Sequence, residues 1–408
     1  MKTNTCFVPR RRFLKSTAAA AVYCGFANDR AFGANDRIRL AAIGTGGRAR
    51  KSLIPIHKNQ PDTEFVALCD VYEPNLLRTA TEAELPKARQ VRDYRAILDD
   101  KSIDAVVIGA PDHWHAQMVK DAVAAGKDVY VEKPVTHKLE EGADLVRAVE
   151  ASKRIVQTGT QQRSWEHFIQ GKEIIDSGRL GPVTTVRMWW YQNYAAGDHS
   201  NKIAFDKLDQ KMWLGNAPAQ ELTPRKFYWW RWFWNFGGGA LTDLMSHWID
   251  VVHWYLGAPA PMSVVTSGNR YILDWECPDT ITCVLDYPKQ FSVTYHGTMA
   301  SSIDDGGLEI RGKNGTMKLN RARLAVYAEP GQLIGKEDPG KPETLIESKG
   351  DGTIPHIRNF LDCVKSRKTP TANIRVAVDA ARAAHLGNLA LKQDRRVRWN
   401  IEQERVEG

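Results

Sequence analysis

The sequence predicts an α/β chain: a doubly wound parallel sheet first, then an α+β part built on an antiparallel sheet. Three observations carry this. Between Ile38 and Gly159, short apolar runs alternate with amphipathic helical stretches, the pattern of successive βαβ units. After Pro182 the apolar period becomes two, in several runs joined by short turns, as in an antiparallel sheet covered on one face. The first apolar run also ends in a glycine turn that opens a helix. At 408 residues the chain is long enough for two cores.

The N-terminus reads as an export signal. Arg10-Arg11-Arg12-Phe13-Leu14-Lys15 fits the twin-arginine pattern R-R-x-F-L-K, and the Ala-rich stretch Ser16–Ala27 follows. Residues 1–33 are therefore expected to be a signal segment, cut after Ala27 or Gly33, that sends the protein to the periplasm. The apolar part is too short for stable membrane insertion. Cys24 as a lipid-attachment site is disfavoured by the bulky Tyr23 before it. The formal charge of +8 is mostly local, because residues 1–33 carry six basic side chains against Asp29 alone. Without a basic stripe elsewhere, nucleic-acid binding is not expected. Six cysteines include no C-x-x-C spacing; Cys69 and Cys363 read as core, and Cys277 and Cys283 could pair.

The first strand is Ile38–Ile43, followed by Gly44-Thr45-Gly46-Gly47-Arg48-Ala49. Gly44 permits the turn, Gly46 lets a pyrophosphate approach the backbone, and Ala49 lets the helix pack close to the strand. The helix N-terminus then offers free N–H groups to the phosphates. A second strand, Thr63–Cys69, ends at Asp70, 21 positions after Ala49. An acid there can accept from a ribose and repel a 2′-phosphate, so NAD is expected rather than NADP; Arg48 and Arg78 are the features that favour NADP. Helices near Pro74–Glu84 and Tyr94–Asp99, strand Ala105–Gly109, helix Ala116–Ala125, strand Asp128–Val131, helix Leu139–Ser152 and strand Ile155–Thr158 complete a Rossmann-type domain over 37–159. Ligands bind outside the carboxyl ends of such strands. The expected cofactor set is Gly44, Gly46, Gly47, Arg48, Asp70, Pro111, His115, Glu132, Lys133 and Gln161.

Residues 160–370 are expected to bind substrate and support self-association. The strands are Pro182–Trp190, Pro261–Val265, Thr280–Asp286, Phe291–His296, Gly307–Arg311 and Gly315–Asn320. Helices are expected at Glu166–Ser177, Gly238–Leu256 and His356–Lys365, with 331–352 a surface excursion. Residues 371–408, including a helix over Ile374–Lys392, are expected to pack back on the first domain.

Two stretches carry chemistry. Lys133 follows the apolar strand DVYV at the ligand-binding end of the sheet, between Glu132 and Pro134. In GGGALTDLMSH, Asp243 and His247 stand four apart on one helix face, with Asp250 off that line. Such a pair suits a surface contact, a metal or, beside a nicotinamide, a proton relay. The run Phe227–Trp234, FYWWRWFW, suits sugar stacking or an interface; Trp230, Arg231 and, from the strand before it, Asn193 are the candidate substrate contacts. His113, His115 and His247 lack a usual zinc spacing, so no metal is expected.

GTGGRA, Asp70, Glu132-Lys133-Pro134 and GGGALTDLMSH together resemble the Gfo/Idh/MocA oxidoreductases, in order and spacing, over about residues 37–400. The resemblance implies a Rossmann domain followed by an α+β domain with an open, mostly antiparallel sheet, with Lys133 as catalytic lysine and Asp243 and His247 as its Asp and His partners. Together with the twin-arginine pattern, it implies an exported NAD-dependent oxidoreductase acting on a carbohydrate CH–OH group, as a homo-oligomer. An NAD-using glycoside hydrolase or lyase and a non-catalytic sugar sensor are the alternatives. The Glu-Lys-Pro, absent from the similar hydrolases, counts against the first, and the full Lys133–Asp243–His247 set against the second.

Overall fold

The computed structural model describes residues 37–197, 201–289, 291–329, 331 and 340–407. The twin-arginine segment and its cleavage positions lie outside the described residues. Six parallel strands form the first sheet: β1 (Ile38–Ile43), β2 (Thr63–Cys69), β3 (Arg89–Val91), β4 (Ala105–Ile108), β5 (Asp128–Val131) and β6 (Val156–Thr158). Their order is β3-β2-β1-β4-β5-β6. The central strands are apolar along their whole length because helices cover both faces; every residue of β4 and β5 is buried. The chain reverses direction across the sheet between β1 and β4, which opens a crevice at their carboxyl ends.

Helix α1 starts with a π-helical turn, Ala49–Leu53, and continues as Ile54–Lys58. Helices α2 (Glu73–Glu82), α3 (Arg95–Leu98), α4 (Asp112–Ala124) and α5 (Glu141–Ser152) follow the next strands. After α6 (Glu166–Asp176) comes the second sheet, of ten strands among the described residues. Its centre is β7 (Val183–Tyr191), β8 (Ser263–Asn269), β9 (Thr280–Asp286) and β10 (Ser292–Thr298), flanked by β11 (Gly306–Gly312) and β12 (Gly315–Leu319). All neighbours run antiparallel except β7 and β10. Alternate residues of β9 and β10 are buried against the helices. Between β7 and β8 lie the short helices α7 (Gln210–Leu214) and α8 (Pro224–Tyr228), then α9, a π turn Leu241–Met245 running into Ser246–Leu256.

Besides the short β3, four strands escape the sequence reading. β13 (Arg323–Ala328) has a block of buried residues in place of alternation, and β14 (Thr344–Glu347) sits inside the stretch expected to be a surface excursion. β15 (Val397–Asn400) pairs with β8 and then with β16 (Arg405–Val406). After α10 (Thr353–Ser366), the long helix α11 (Ile374–Gln393) divides its packing. Ile374, Ala377 and Val378 enter the core of the parallel sheet, whereas Ala380, Ala383, Ala384, Leu386 and Ala390 enter that of the second sheet. The expectation that residues 371–408 pack back on the first domain is thus corrected: the first turns do, and His385 still reaches Thr136 at 3.0 Å, but most of the later turns and the tail join the other sheet. Cys69, Cys277, Cys283 and Cys363 are all free thiols.

Candidate active site

Two connected cavities open at the carboxyl ends of the parallel strands. The first, about 540 Å³, is lined by the glycine turn, Asp70, Pro111 and, from the other bank, Trp213, Phe227 and Tyr228. The second, about 500 Å³, holds Glu132, Lys133, Gln161, Asp243 and His247. Arg48, Gly109, Ala110, Trp230 and Arg231 wall both.

In the first cavity the backbone does most of the shaping. Gly44 has φ +81°, and a Cβ there would stand 2.6 Å from the Ala110 nitrogen. Only glycine tolerates both conditions. A Cβ on Gly46 or Gly47 would meet no atom within 4 Å, so the chain leaves room above them for a ligand. Asp70 is buried at the end of β2 and performs a task its position alone does not disclose. Its Oδ2 accepts from the Thr45 N–H at 2.8 Å and the Thr45 hydroxyl at 3.1 Å, and its Oδ1 accepts from Tyr72 N–H at 2.9 Å. It therefore ties the glycine turn to the start of the next helix. Burial raises its pKa, with these bonds opposing.

A strap from the second half roofs this cavity. Asp209 N–H donates to the Val71 carbonyl at 3.0 Å, Arg92 donates to the Lys207 carbonyl, and Lys207 pairs with Glu73 at 3.2 Å. Tyr228 donates to the Lys202 carbonyl from the far side. The strap is pinned just beyond Asp70.

The second cavity is built from side chains. Lys133 follows β5; its Nζ donates to Asp243 Oδ1 at 2.6 Å and to the Asp243 carbonyl at 2.5 Å. The Lys133–Pro134 peptide is cis, and His115 Nδ1 meets the Pro134 carbonyl at 2.7 Å while its Nε2 meets Ala110 O at 2.8 Å. His115 thus supports the strand ends rather than facing a ligand freely. Arg231 Nε donates to the same Asp243 oxygen at 3.1 Å. Burial raises the Asp243 pKa, but Lys133 and Arg231 outweigh it and the carboxylate stays ionised. Glu132 behaves alike: Arg48 Nε at 2.8 Å overcomes burial and holds its pKa low. Arg48 is consequently committed to Glu132 between the cavities.

The structure corrects the expected Asp243–His247 relay. Asp243 lies in the π turn and spends its carboxylate on Lys133 and Arg231, not on His247. His247 stacks on Trp190, centroids 5.6 Å apart and planes at 24°, and its buried Nδ1 has no hydrogen-bond partner among the described residues. Burial first, then Lys133, Arg321 and Arg48, hold its pKa well below the ordinary imidazole value. It is a neutral imidazole at neutral pH.

Of the expected substrate contacts, Trp230 and Arg231 line both cavities, with the guanidinium 4.1 Å from the Trp230 ring centroid. Asn193 is corrected. Its Oδ1 accepts from Ala196 N–H at 3.1 Å, capping a turn, and it lines neither cavity. Trp232 turns into the core instead, stacked on Trp275 at 4.7 Å. His113 Nε2 binds the Trp213 carbonyl, so it does not converge with His115 and His247 on a metal. Sequence reasoning missed Asp112, Tyr194, Arg321 and Asp351, all lining the second cavity. Asp112 was findable, being the residue after Pro111 at the end of β4. Burial holds its carboxyl well above the ordinary range, against Arg231 and Lys133. The other three sit in connections far along the chain, with no local signature.

Residues 38–160 match the oxidoreductase family with an NAD-binding Rossmann fold, and residues 168–318 match the GFO/IDH/MocA C-terminal domain. The chain belongs to the GFO/IDH/MocA oxidoreductase family. It is similar to an uncharacterized oxidoreductase of Schizosaccharomyces pombe, 27% identical over 62% of this chain and 61% of the relative. Salmonella typhimurium inositol 2-dehydrogenase is 26% identical over 54% of each chain. The chain thus spans about three fifths and about half of these curated relatives. Among solved structures, levoglucosan dehydrogenase in complex with NADH and levoglucosan superposes with a TM-score of 0.70 at 17% identity, covering 89% of this chain and 99% of that one. As a GFO/IDH/MocA member the protein is an NAD-binding oxidoreductase, and its first cavity fits that cofactor: open space over Gly46 and Gly47 for a pyrophosphate, with Asp70 on the adenosine side. Among the described residues, no helix is long and apolar enough to cross a membrane.

Proposed function

We propose that the protein is an exported oxidoreductase that moves a hydride between a hydroxyl-bearing carbon of a sugar, glycoside or cyclitol and a tightly held NAD. The observation that carries this reading is Lys133, fixed by Asp243 at 2.6 Å in a cavity that also holds a neutral, unpartnered His247. NAD, when bound, supplies the hydride acceptor and donor. The protein supplies the proton chemistry and the positioning. Two Lys133 N–H groups are spent on Asp243, and the third is left for a substrate oxygen, whose alkoxide character it stabilises. A ring nitrogen of His247 takes the hydroxyl proton. Asp243 touches neither in this scheme; it positions Lys133 and Arg231. Trp190, Trp230 and Arg231 form walls suited to a polyhydroxylated ring, and the names of the relatives, inositol 2-dehydrogenase and levoglucosan dehydrogenase, agree with such a substrate.

Two features support retention of the cofactor. The strap over 201–215 closes the adenosine end of the cavity. The twin-arginine pattern suits a protein exported already folded, with NAD loaded beforehand and then reset in place by a second substrate. The outer face of the ten-stranded sheet, where Trp189 lies beneath Arg187, is the proposed surface for self-association. Protein purified without added nucleotide is expected to carry near-stoichiometric NAD(H), and a glycoside panel is expected to change its absorbance in the NADH band and yield a keto sugar. Nucleotide-free protein that works only with freely exchanging NAD refutes retention, and a cleaved glycoside as the product refutes simple oxidation.

A further inference from the structure

The second cavity contains four permanent or near-permanent cations, and three of them are matched. Arg48 is paired with Glu132 at 2.8 Å, and Lys133 and Arg231 share Asp243 at 2.6 and 3.1 Å. The fourth, Arg321, comes from the turn between β12 and β13 and is only partly exposed. Its guanidinium lies 4.8 Å from the centroid of Trp190, the ring that also carries His247. Among the described residues it makes no hydrogen bond and no ion pair. An arginine has five N–H donors in a planar fork, and an aromatic face satisfies none of them.

The acids in the same cavity do not fill that gap. Glu132 and Asp243 are already committed, and Asp112 is buried with its Oδ2 unpartnered. Asp351, at the rim, spends Oδ1 on the Thr353 N–H and stands beyond ion-pair distance of Arg321. Burial, and after it Arg48, push the Arg321 pKa down against the opposing pull of Asp305 and Asp351, neither of which comes within ion-pair distance. A bound nicotinamide in its oxidised form adds positive charge and leaves the imbalance larger. The remaining partner has to arrive with the substrate. A carboxylate or sulfate matches the guanidinium fork with two parallel bonds, which a sugar hydroxyl does not.

We propose that Arg321 anchors an anionic substituent, a carboxylate or a sulfate ester, on the sugar that enters this cavity. This rests on the oxidoreductase reading above and narrows it to acidic sugars. Arg321 acts on binding and selectivity, and Lys133 and His247 act on the bond that changes.

The test compares methyl β-D-glucuronide, glucose 6-sulfate and methyl β-D-glucoside on the full chain with NAD present. Both the NADH-band change and equilibrium binding, by quenching of tryptophan fluorescence, are followed. At least one of the two acidic sugars is expected to bind more tightly than the neutral one, with an advantage that shrinks as salt is raised; which one identifies the anion. R321Q is expected to weaken the preferred acidic sugar about 10- to 100-fold in KM and in binding, with the neutral glycoside changed by less than about 3-fold. R321K should recover part of the loss, since it keeps the charge but not the fork. Equal binding of acidic and neutral sugars, or an R321Q loss shared equally by both, overturns the assignment. If none of the three changes the NADH band while the acidic sugar still binds through Arg321, the redox reading fails and the anchor stands.

Discussion

The two cavities are built by opposite means. The dinucleotide cavity is shaped by backbone: a glycine at φ +81°, two glycines beneath open space and a carboxylate tied to N–H groups of the turn it serves. The reaction cavity is shaped by charge: two buried acids, Glu132 holding Arg48 from the glycine turn and Asp243 holding both Lys133 from the end of β5 and the nearer Arg231. A backbone site is specified within one βαβ unit. A charged site exists only after the two sheets have docked, and each member depends on the others for its protonation state. Damage should therefore spread differently in the two places.

Lys133→Met offers the sharpest contrast. Turnover should fall about 10²- to 10⁴-fold, the usual loss for a positioned proton-transfer or polarising group, while the other cavity keeps its cofactor. Stopped-flow turnover and bound-nucleotide content measured on one preparation check this; normal turnover would remove Lys133 from the chemistry. Next is Asp243→Asn, which strands the largely buried Lys133 and the partly exposed Arg231 at once. A stability loss of about 3 kcal/mol is expected, since breaking a buried ion pair from one side leaves charge uncompensated. Urea denaturation of wild type and variant gives the number. An effect no larger than that of Lys133→Met would show that Asp243 does not hold the site together.

Asp70→Ser probes the backbone-built cavity. Losing the acceptor for Thr45 and Tyr72 should weaken NAD binding by about 1–3 kcal/mol and relax discrimination against NADP, with the second cavity unaffected. Titration with both nucleotides tests it, and unchanged selectivity would leave Asp70 a purely structural tie. The gentlest effect near neutrality is on acid stability. His57 and His356 have pKa values lowered to about 4, and His113, His253 and His385 to about 3, all mainly through burial. Below an unfolded value near 6.5 the unfolded chain binds these protons first, so stability is present above that pH and drains away as pH falls toward 4. Asp70, Asp112, Asp250 and Asp379, raised by burial, work the other way, but they are four groups against nine, since His115, His137, His167 and His247 are also held low. Melting temperatures between pH 7 and 4 should drop from the imidazole range onward; a flat profile down to the carboxylate range would contradict this.

The same contrast explains what the sequence disclosed. Gly44, Gly46, Asp70 and Lys133 were legible because each is fixed by its place at the end of a strand, a local matter. The pairing of Asp243 was not, because helix spacing points it toward His247 while, in the π turn, the distant Lys133 and Arg231 on the preceding loop claim its charge. Arg321 and Tyr194 lie in connections whose neighbours are chosen by the strand order of the second sheet, and no short stretch encodes that order. The buried block of β13 hid a strand because an edge region covered on both faces loses its alternation.

The helix α11 carries one more consequence. Its 20 residues run about 30 Å, with the first turns in one core and the rest in the other. It works as a splint. The halves that wall the cavities cannot swing apart as bodies on a hinge without pulling a rigid rod from one hydrophobic core, so melting is expected as a single event. Traffic in and out then belongs to surface chain: a small substrate needs only the mouth of its own cavity, whereas a dinucleotide must wait for the strap to let go. Exchange of the two would run on separate clocks.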